Sequence, residues 1–124
     1  MRAREIKRKW LAALESDEYK QAEGVLYDPF TKGFCCLGVL QHCLLDGKVE
    51  TYNDAHGENS PEAFTSFEEE KCASQYAPSD DFYRAFPQLG WVKVNQGSLM
   101  VMNDEDRATF KEIAAYIRKE WKVS

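Results

Sequence analysis

From Cys35 to Leu45 the chain reads CCLGVLQHCLL, and on a helix this stretch is apolar nearly all the way round. Cys36, Leu37, Val39, Leu40, Cys43, Leu44 and Leu45 leave Gln41 and His42 as its polar side chains. A helix without a polar face has to be covered on every side, so this stretch requires a fold built around a central helix. Gly47, directly after Asp46, supplies a glycine stop. Gly38 inside the helix costs roughly 1 kcal/mol relative to alanine, which points to close approach of another backbone or an aromatic ring. A chain of 124 residues is long enough to provide the cover. About two-thirds of the surface of such a chain is buried on folding, in about one domain.

The covering elements follow from periodicity. Ile6, Trp10, Ala13 and Leu14 recur at helical spacing between about Ala3 and Glu15. GVLYDPFTKGFCC, with Asp28-Pro29 and Gly33, reads as a tight excursion or small hairpin. In the polar stretch that follows, Ser60 and Pro61 start one short helix that Phe64, Phe67 and Cys72 can dock, and Pro87 ends a helical turn from Asp80 to Phe86. WVKVNQGSLMVM reads as a β-hairpin, Val92 and Val94 alternating with Lys93 before an Asn95-Gln96-Gly97 turn. Thr109 and Glu112 form a capping box for a last helix with Phe110, Ile113, Ala114, Ile117 and Trp121 on one face. The expected fold class is α+β: a single compact domain over 1–124, with a central apolar helix, flanking N- and C-terminal helices and a small antiparallel hairpin. Residues 48–81 form an acidic, loop-rich insertion within it.

Charge and cysteine usage narrow the function classes. Of the net charge of −5, the segment from Asp46 to Asp81 carries −8. Asp46, Glu50, Asp54, Glu58, Glu62, Glu68, Glu69, Glu70, Asp80 and Asp81 stand there against Lys48 and Lys71, which leaves +3 for the remainder. An acidic middle argues against extended contact with nucleic-acid phosphates and suits a basic partner. Arg2, Arg4, Lys7, Arg8 and Lys9 form a local basic patch that reads first as a solvated helix face. No apolar run approaches the ~20 residues that cross a bilayer, and the N-terminus breaks into charge before a signal-like segment develops, so a cytoplasmic protein is expected. Its four cysteines are then free thiols. Their spacing lacks paired C-x-x-C ligands, and Asp104-Glu105-Asp106 lacks the alternation and glycine of a calcium loop. Neither a metal nor a cofactor is expected.

Two constellations bear on chemistry. A thiol at a helix head feels the helix dipole and free amides, so Cys35 or Cys36 is a candidate nucleophile, with His56 as the realistic general base. The plainer reading makes both cysteines small core hydrophobes. Asn103 and Asp104 are placed to cap or turn the chain, or to line the lip of a ligand pocket that also receives Tyr19 and Gln21. Trp10, Trp91 and Trp121 lie beside lysines or arginines and read as core anchors, with stacking on a base or nucleotide as the alternative.

KWLAALESDEYKQAEGVL, FCCLGVLQHCL and LMVMNDEDRATFKEIAAYI together resemble a family of small proteins found widely in phages and prophages. Its members share a Trp-containing first helix, a Tyr-x-Gln-x-x-Gly turn, an F-C-C-L-G-V-L block and an Asn-Asp…Ser/Thr-Phe-x-x-Ile-Ala ending. The matching positions are Trp10, Tyr19, Gln21, Gly24, Phe34 to Gly38, Asn103, Asp104, Phe110 and Ile113. The acidic middle is unmatched, and Asp17-Glu18 departs from the Ser-Gly type of turn. The resemblance implies a non-virion, phage-encoded accessory protein that interferes with host machinery or defence. As a binding protein it would sequester or block a host protein or a small nucleotide-like signal. The alternative is a cysteine-dependent hydrolase or transferase using Cys35 or Cys36 with His56.

Overall fold

A computed structural model describes residues 1–50, the backbone of 64–66, and residues 77–123. The general base expected at His56, the short helix at Ser60-Pro61, the docking of Phe64, Phe67 and Cys72, and most of the acidic segment lie outside the described residues.

The apolar stretch forms α2 (Cys36–Leu44), with Cys36 to Gln41 all buried. Fully burying each large aliphatic side chain is worth about 1.5–3 kcal/mol, so α2 holds its neighbours by its own surface. α1 (Ala3–Glu15) lays Ile6, Trp10, Leu11 and Leu14 inward and packs on α2 and on α5 (Phe110–Glu120). α5 starts at the expected box, Glu112 N–H donating to Thr109 Oγ1 at 3.2 Å and Thr109 N–H to Glu112 Oε1 at 3.0 Å. The Trp10 indole donates to the Cys36 carbonyl at 2.9 Å. Trp121 meets the Trp10 ring edge-on and stacks on Trp91, their planes 6° apart.

Three two-residue strands cross the head of α2: β1 (Lys20–Gln21), β2 (Tyr27–Asp28) and β3 (Gly33–Phe34). β3 is central, parallel to β1 and antiparallel to β2. Its turn with β2 is set by Asp28, whose carboxylate accepts from Phe30 N–H at 2.9 Å. Gly38 is explained here. A Cβ on it would sit 1.9 Å from the Leu26 carbonyl oxygen, because the chain entering β2 runs directly over the helix. After α2, Gly47 takes φ +81° and donates to the His42 carbonyl, which stops the helix. β4 (Lys48–Glu50) then pairs antiparallel with β5 (Phe64–Ser66), Glu50 opposite Phe64. α3 (Asp80–Ala85), a 3-10 turn Pro87–Leu89 and α4 (Gly90–Asp104) follow.

The α+β class stands, but the hairpin expected over 91–102 is a helix. α4 runs unbroken through Asn95-Gln96-Gly97, with Val92, Leu99 and Asn103 buried at helical spacing. A hairpin would have put Val92 and Val94 on one face. Instead Val92 is fully buried while Val94 is 83% exposed, so burial at a period of 3.6 decided the element. Among the described residues the antiparallel pairing comes from β2 with β3 and β4 with β5.

Candidate functional site

Gln21, Gly24, Cys36, Asn103 and Asp104, spread over 84 positions of sequence, meet in one polar network at the head of α2. Its centre is Asn103, which α4 carries inward to 1% exposure. Asn103 Oδ1 accepts from Cys36 N–H at 3.2 Å and from Gln21 Nε2 at 3.0 Å. Asn103 Nδ2 donates to the Ala22 carbonyl and to Asp104 Oδ1, both at 2.8 Å. Asp104 Oδ1 also accepts from Gly24 N–H at 3.0 Å, and Gln21 Nε2 donates a second bond to the Ala108 carbonyl at 2.7 Å. The first N–H of a helix has no partner within that helix. For α2 the partner is a side chain from α4. All four hydrogen-bonding positions of the Asn103 amide are thereby filled within the chain.

Both thiols at the helix head face inward. Cys35 caps α2, its sulfur accepting from Gly38 N–H at 3.3 Å, and Cys36 Sγ points to the Leu99 carbonyl at 3.7 Å. Burial pushes the Cys35 thiol up to about 12, against the opposing pull of the Gly38 and Leu37 amides. Burial also raises Cys36 well above the usual thiol range, and the neighbouring Cys35 adds to the rise. At neutral pH both are therefore thiols, and the nucleophile is the thiolate.

Tyr19 turns away from Asn103. Its hydroxyl lies 2.7 Å from His42 Nδ1, and its ring meets Phe34 and His42 edge-on. Burial raises Tyr19 to about 12, with Cys43 and Glu18 adding to it, and burial lowers His42. Tyr19 therefore stays a phenol at neutral pH, and the imidazole tautomer sets which of the two groups donates in their hydrogen bond.

A second buried polar group was not marked by sequence. Glu50, counted in the acidic segment, is 1% exposed. Gln41 Nε2 donates to Glu50 Oε1 at 2.6 Å, Ser79 N–H donates to the same oxygen at 2.8 Å, and the Ser79 hydroxyl donates to Oε2. Glu50 N–H closes the loop onto Gln41 Oε1 at 2.9 Å. Burial raises the Glu50 carboxyl despite these donors, and Asp81 adds to the rise. Gln41, a polar residue inside an apolar helix, was the available signal.

On the surface, α1 and α5 border a groove of about 450 Å³ with Leu11, Ala12 and Val123 as apolar lining and Arg4, Lys7, Arg8, Arg118 and Glu15 as charged lining. Lys7 donates to the Trp121 carbonyl at 2.6 Å, at the C-terminal end of α5. Arg118 grips Glu15 with two bonds of 2.7 and 3.1 Å. Among the described residues no ion pair engages Arg4 or Arg8. Sequence reading had Arg4, Lys7 and Arg8 as a patch but missed Arg118, which joins them only through the packing of α5 on α1. Among the described residues no group of three His, Cys, Asp or Glu side chains is arranged to hold a metal ion.

Fold and site together define a small α+β protein in which Gln21, Gly24, Cys36, Asn103 and Asp104 are bonded into one network and a charged groove lies on the outside. The chain belongs to the family described as domain of unknown function DUF8296, whose model matches residues 1–121. No curated protein and no solved structure matches it. No helix among the described residues is long and apolar enough to cross a membrane.

Proposed function

We propose that this is a non-enzymatic binding protein of the phage-accessory kind, acting in the host cytoplasm as a host-takeover or anti-defence factor that covers an acidic site on a host protein. The observation that carries this reading is the α1–α5 groove: an apolar lining beside Arg4, Lys7, Arg8 and Arg118, with one acidic residue, Glu15, among them. Arg4 and Arg8, which no ion pair engages among the described residues, suit together with the apolar strip an acidic, partly apolar protein segment, because guanidinium groups bind carboxylates bidentately while the strip is removed from water. A small nucleotide-like anion is the competing occupant, since the volume is within the range of ligand pockets.

The test is capture from host-cell lysate by the wild type and by Arg4→Glu/Arg8→Glu, followed by titration of the captured component at about 50 and 200 mM salt. The reading expects an acidic host protein that the wild type retains, the double reversal loses, and salt weakens. Equal capture by both forms, or none by either, would end it. Retention of a nucleotide that the reversal abolishes would assign the groove to the small anion.

A further inference from the structure

Helix α4 carries an outward face that nothing within the described chain covers. Val94 and Val101, seven residues apart, are 83% and 42% exposed, and Gly97 and Ser98 lie between them on the same face. Gly97 is unusual. Glycine in a helix interior weakens the helix relative to alanine, and at most such sites a close neighbour explains it, as Leu26 does for Gly38. Around Gly97 a Cβ would meet nothing within 4 Å. None of the described residues makes the close approach that would make this glycine useful.

We propose that the occupant is a second copy of this chain, docked by antiparallel packing of α4 on α4 about a two-fold axis between Gly97 and Ser98. This is a different face from the α1–α5 groove and goes beyond the function proposed for it. The face is self-complementary under that operation, as a two-fold interface has to be. With the axis there, Val94 meets the partner's Val101, Val101 meets the partner's Val94, and Gly97 meets the partner's Ser98. Small residues at the crossing let two helices approach to about 8 Å.

The ends match as well. Lys93, at the N-terminal end of the face, comes two residues, about 3 Å along the axis, from the partner's Asp104. Beside Lys93 is a recess of about 290 Å³ lined by Tyr83, Arg84, Leu89, Gly90, Lys93 and Asp80. The acidic turn Asp104-Glu105-Asp106 of the partner reaches this end. Arg84 already holds Asp81 at 2.5 Å, and Lys93 stands 4.0 Å from Asp80, at the limit of an ion pair, so Lys93 is the cation that can be redirected. A helix of 15 residues is ~22 Å long, and a pair of them buries an area at the low end for specific interfaces. The dimer is therefore expected to be weak and reversible.

The test is sedimentation equilibrium of the full chain from about 10 µM to 1 mM, with circular dichroism melting of each variant as a control for folding. The wild type is expected to pass from monomer to dimer in that range, and no larger species is expected. Gly97→Gln is expected to weaken the dimer at least tenfold while raising the melting temperature at low concentration, because the helix gains propensity and none of the described residues obstructs it. A merely tolerated glycine would give the second effect without the first. Val94→Glu is expected to weaken the dimer at least tenfold, and Lys93→Glu by a smaller factor that Lys93→Glu/Glu105→Lys reverses. A wild type that stays monomeric to 1 mM would overturn the proposal. So would a dimer that Gly97→Gln and Val94→Glu leave intact, since that dimer would use another surface.

Discussion

Replacing Asn103 by alanine tests whether the network at the head of α2 holds the fold together. The side chain makes four hydrogen bonds at 1% exposure. Two of its partners keep another bond after truncation: Gln21 Nε2 still donates to the Ala108 carbonyl, and Asp104 Oδ1 still accepts from Gly24 N–H. The other two, Cys36 N–H and the Ala22 carbonyl, sit on buried residues and lose this partner. An orphaned buried polar group costs about 1–3 kcal/mol, so the change should cost about 3–5 kcal/mol once the small cavity is included. At about 2.1 cal/mol/K per residue, 124 residues give a transition entropy of about 0.26 kcal/mol/K, and Tm should fall by about 10–20 °C. Thermal and urea unfolding followed by circular dichroism measure both quantities. Gln21→Ala removes two part-buried hydrogen bonds, to Asn103 Oδ1 and to the Ala108 carbonyl, but leaves Cys36 N–H partnered, so it should cost less, about 1–2 kcal/mol. Asn103→Asp keeps the shape, loses both donors and buries a charge beside Asp104. Its carboxyl would be raised by burial, so its damage should ease as pH falls towards about 4. An Asn103→Ala protein melting within about 3 °C of the wild type would refute the reasoning.

Other changes act elsewhere. Gly38→Ala drives a Cβ to 1.9 Å from a backbone oxygen that cannot move independently, and should cost about 3 kcal/mol or more or prevent folding, as read by soluble yield and unfolding curves. Iodoacetamide near pH 7.5 should leave Cys35 and Cys36 unmodified in the folded chain and label both in denaturant, while half-buried Cys43 reacts faster than either, by peptide mapping. Rapid labelling of Cys35 or Cys36 in the folded chain would favour the hydrolase reading. Because burial raises Glu50, its contribution to stability is fully present below the unfolded value of about 4.3 and is lost as pH rises through the higher folded value. Glu50→Gln should flatten that part of a urea-midpoint profile from pH 4 to 7, and an unchanged slope would count against it.

Much of the architecture was legible because it rests on local signals of one residue type in one place. The all-round apolar run of α2, the stripes of α1 and α5, the Thr109-Glu112 box, the Gly47 stop and the Asp28-Pro29 turn each act within a few residues. α4 was misread because WVKVNQG contains a true local alternation, and the burial of Val92, Leu99 and Asn103 outweighed it once α2 and α5 offered a surface. The β1–β3 pairing, two residues long and parallel, has no pattern to read. Glu50 looked like one more charge in an acidic segment because its partners, Gln41 and Ser79, lie 9 and 29 residues away.

The same distinction separates the residues that mark this chain in sequence from those proposed to act. Trp10, Gln21, Gly24, Cys36, Gly38, Asn103 and Asp104 are tied to one another by backbone and side-chain contacts that tolerate few alternatives. Such contacts follow from the fold and would be the same whatever the surface binds. Arg4 and Arg8 come beside Arg118 only after α5 has packed on α1, and the exposed face of α4 carries valines, glycine and serine that fit no motif. Substitutions in the network should therefore change stability and partner binding together, through the folded fraction. Substitutions at Arg4, Arg8, Val94 or Gly97 should change one binding event each and leave the fold intact.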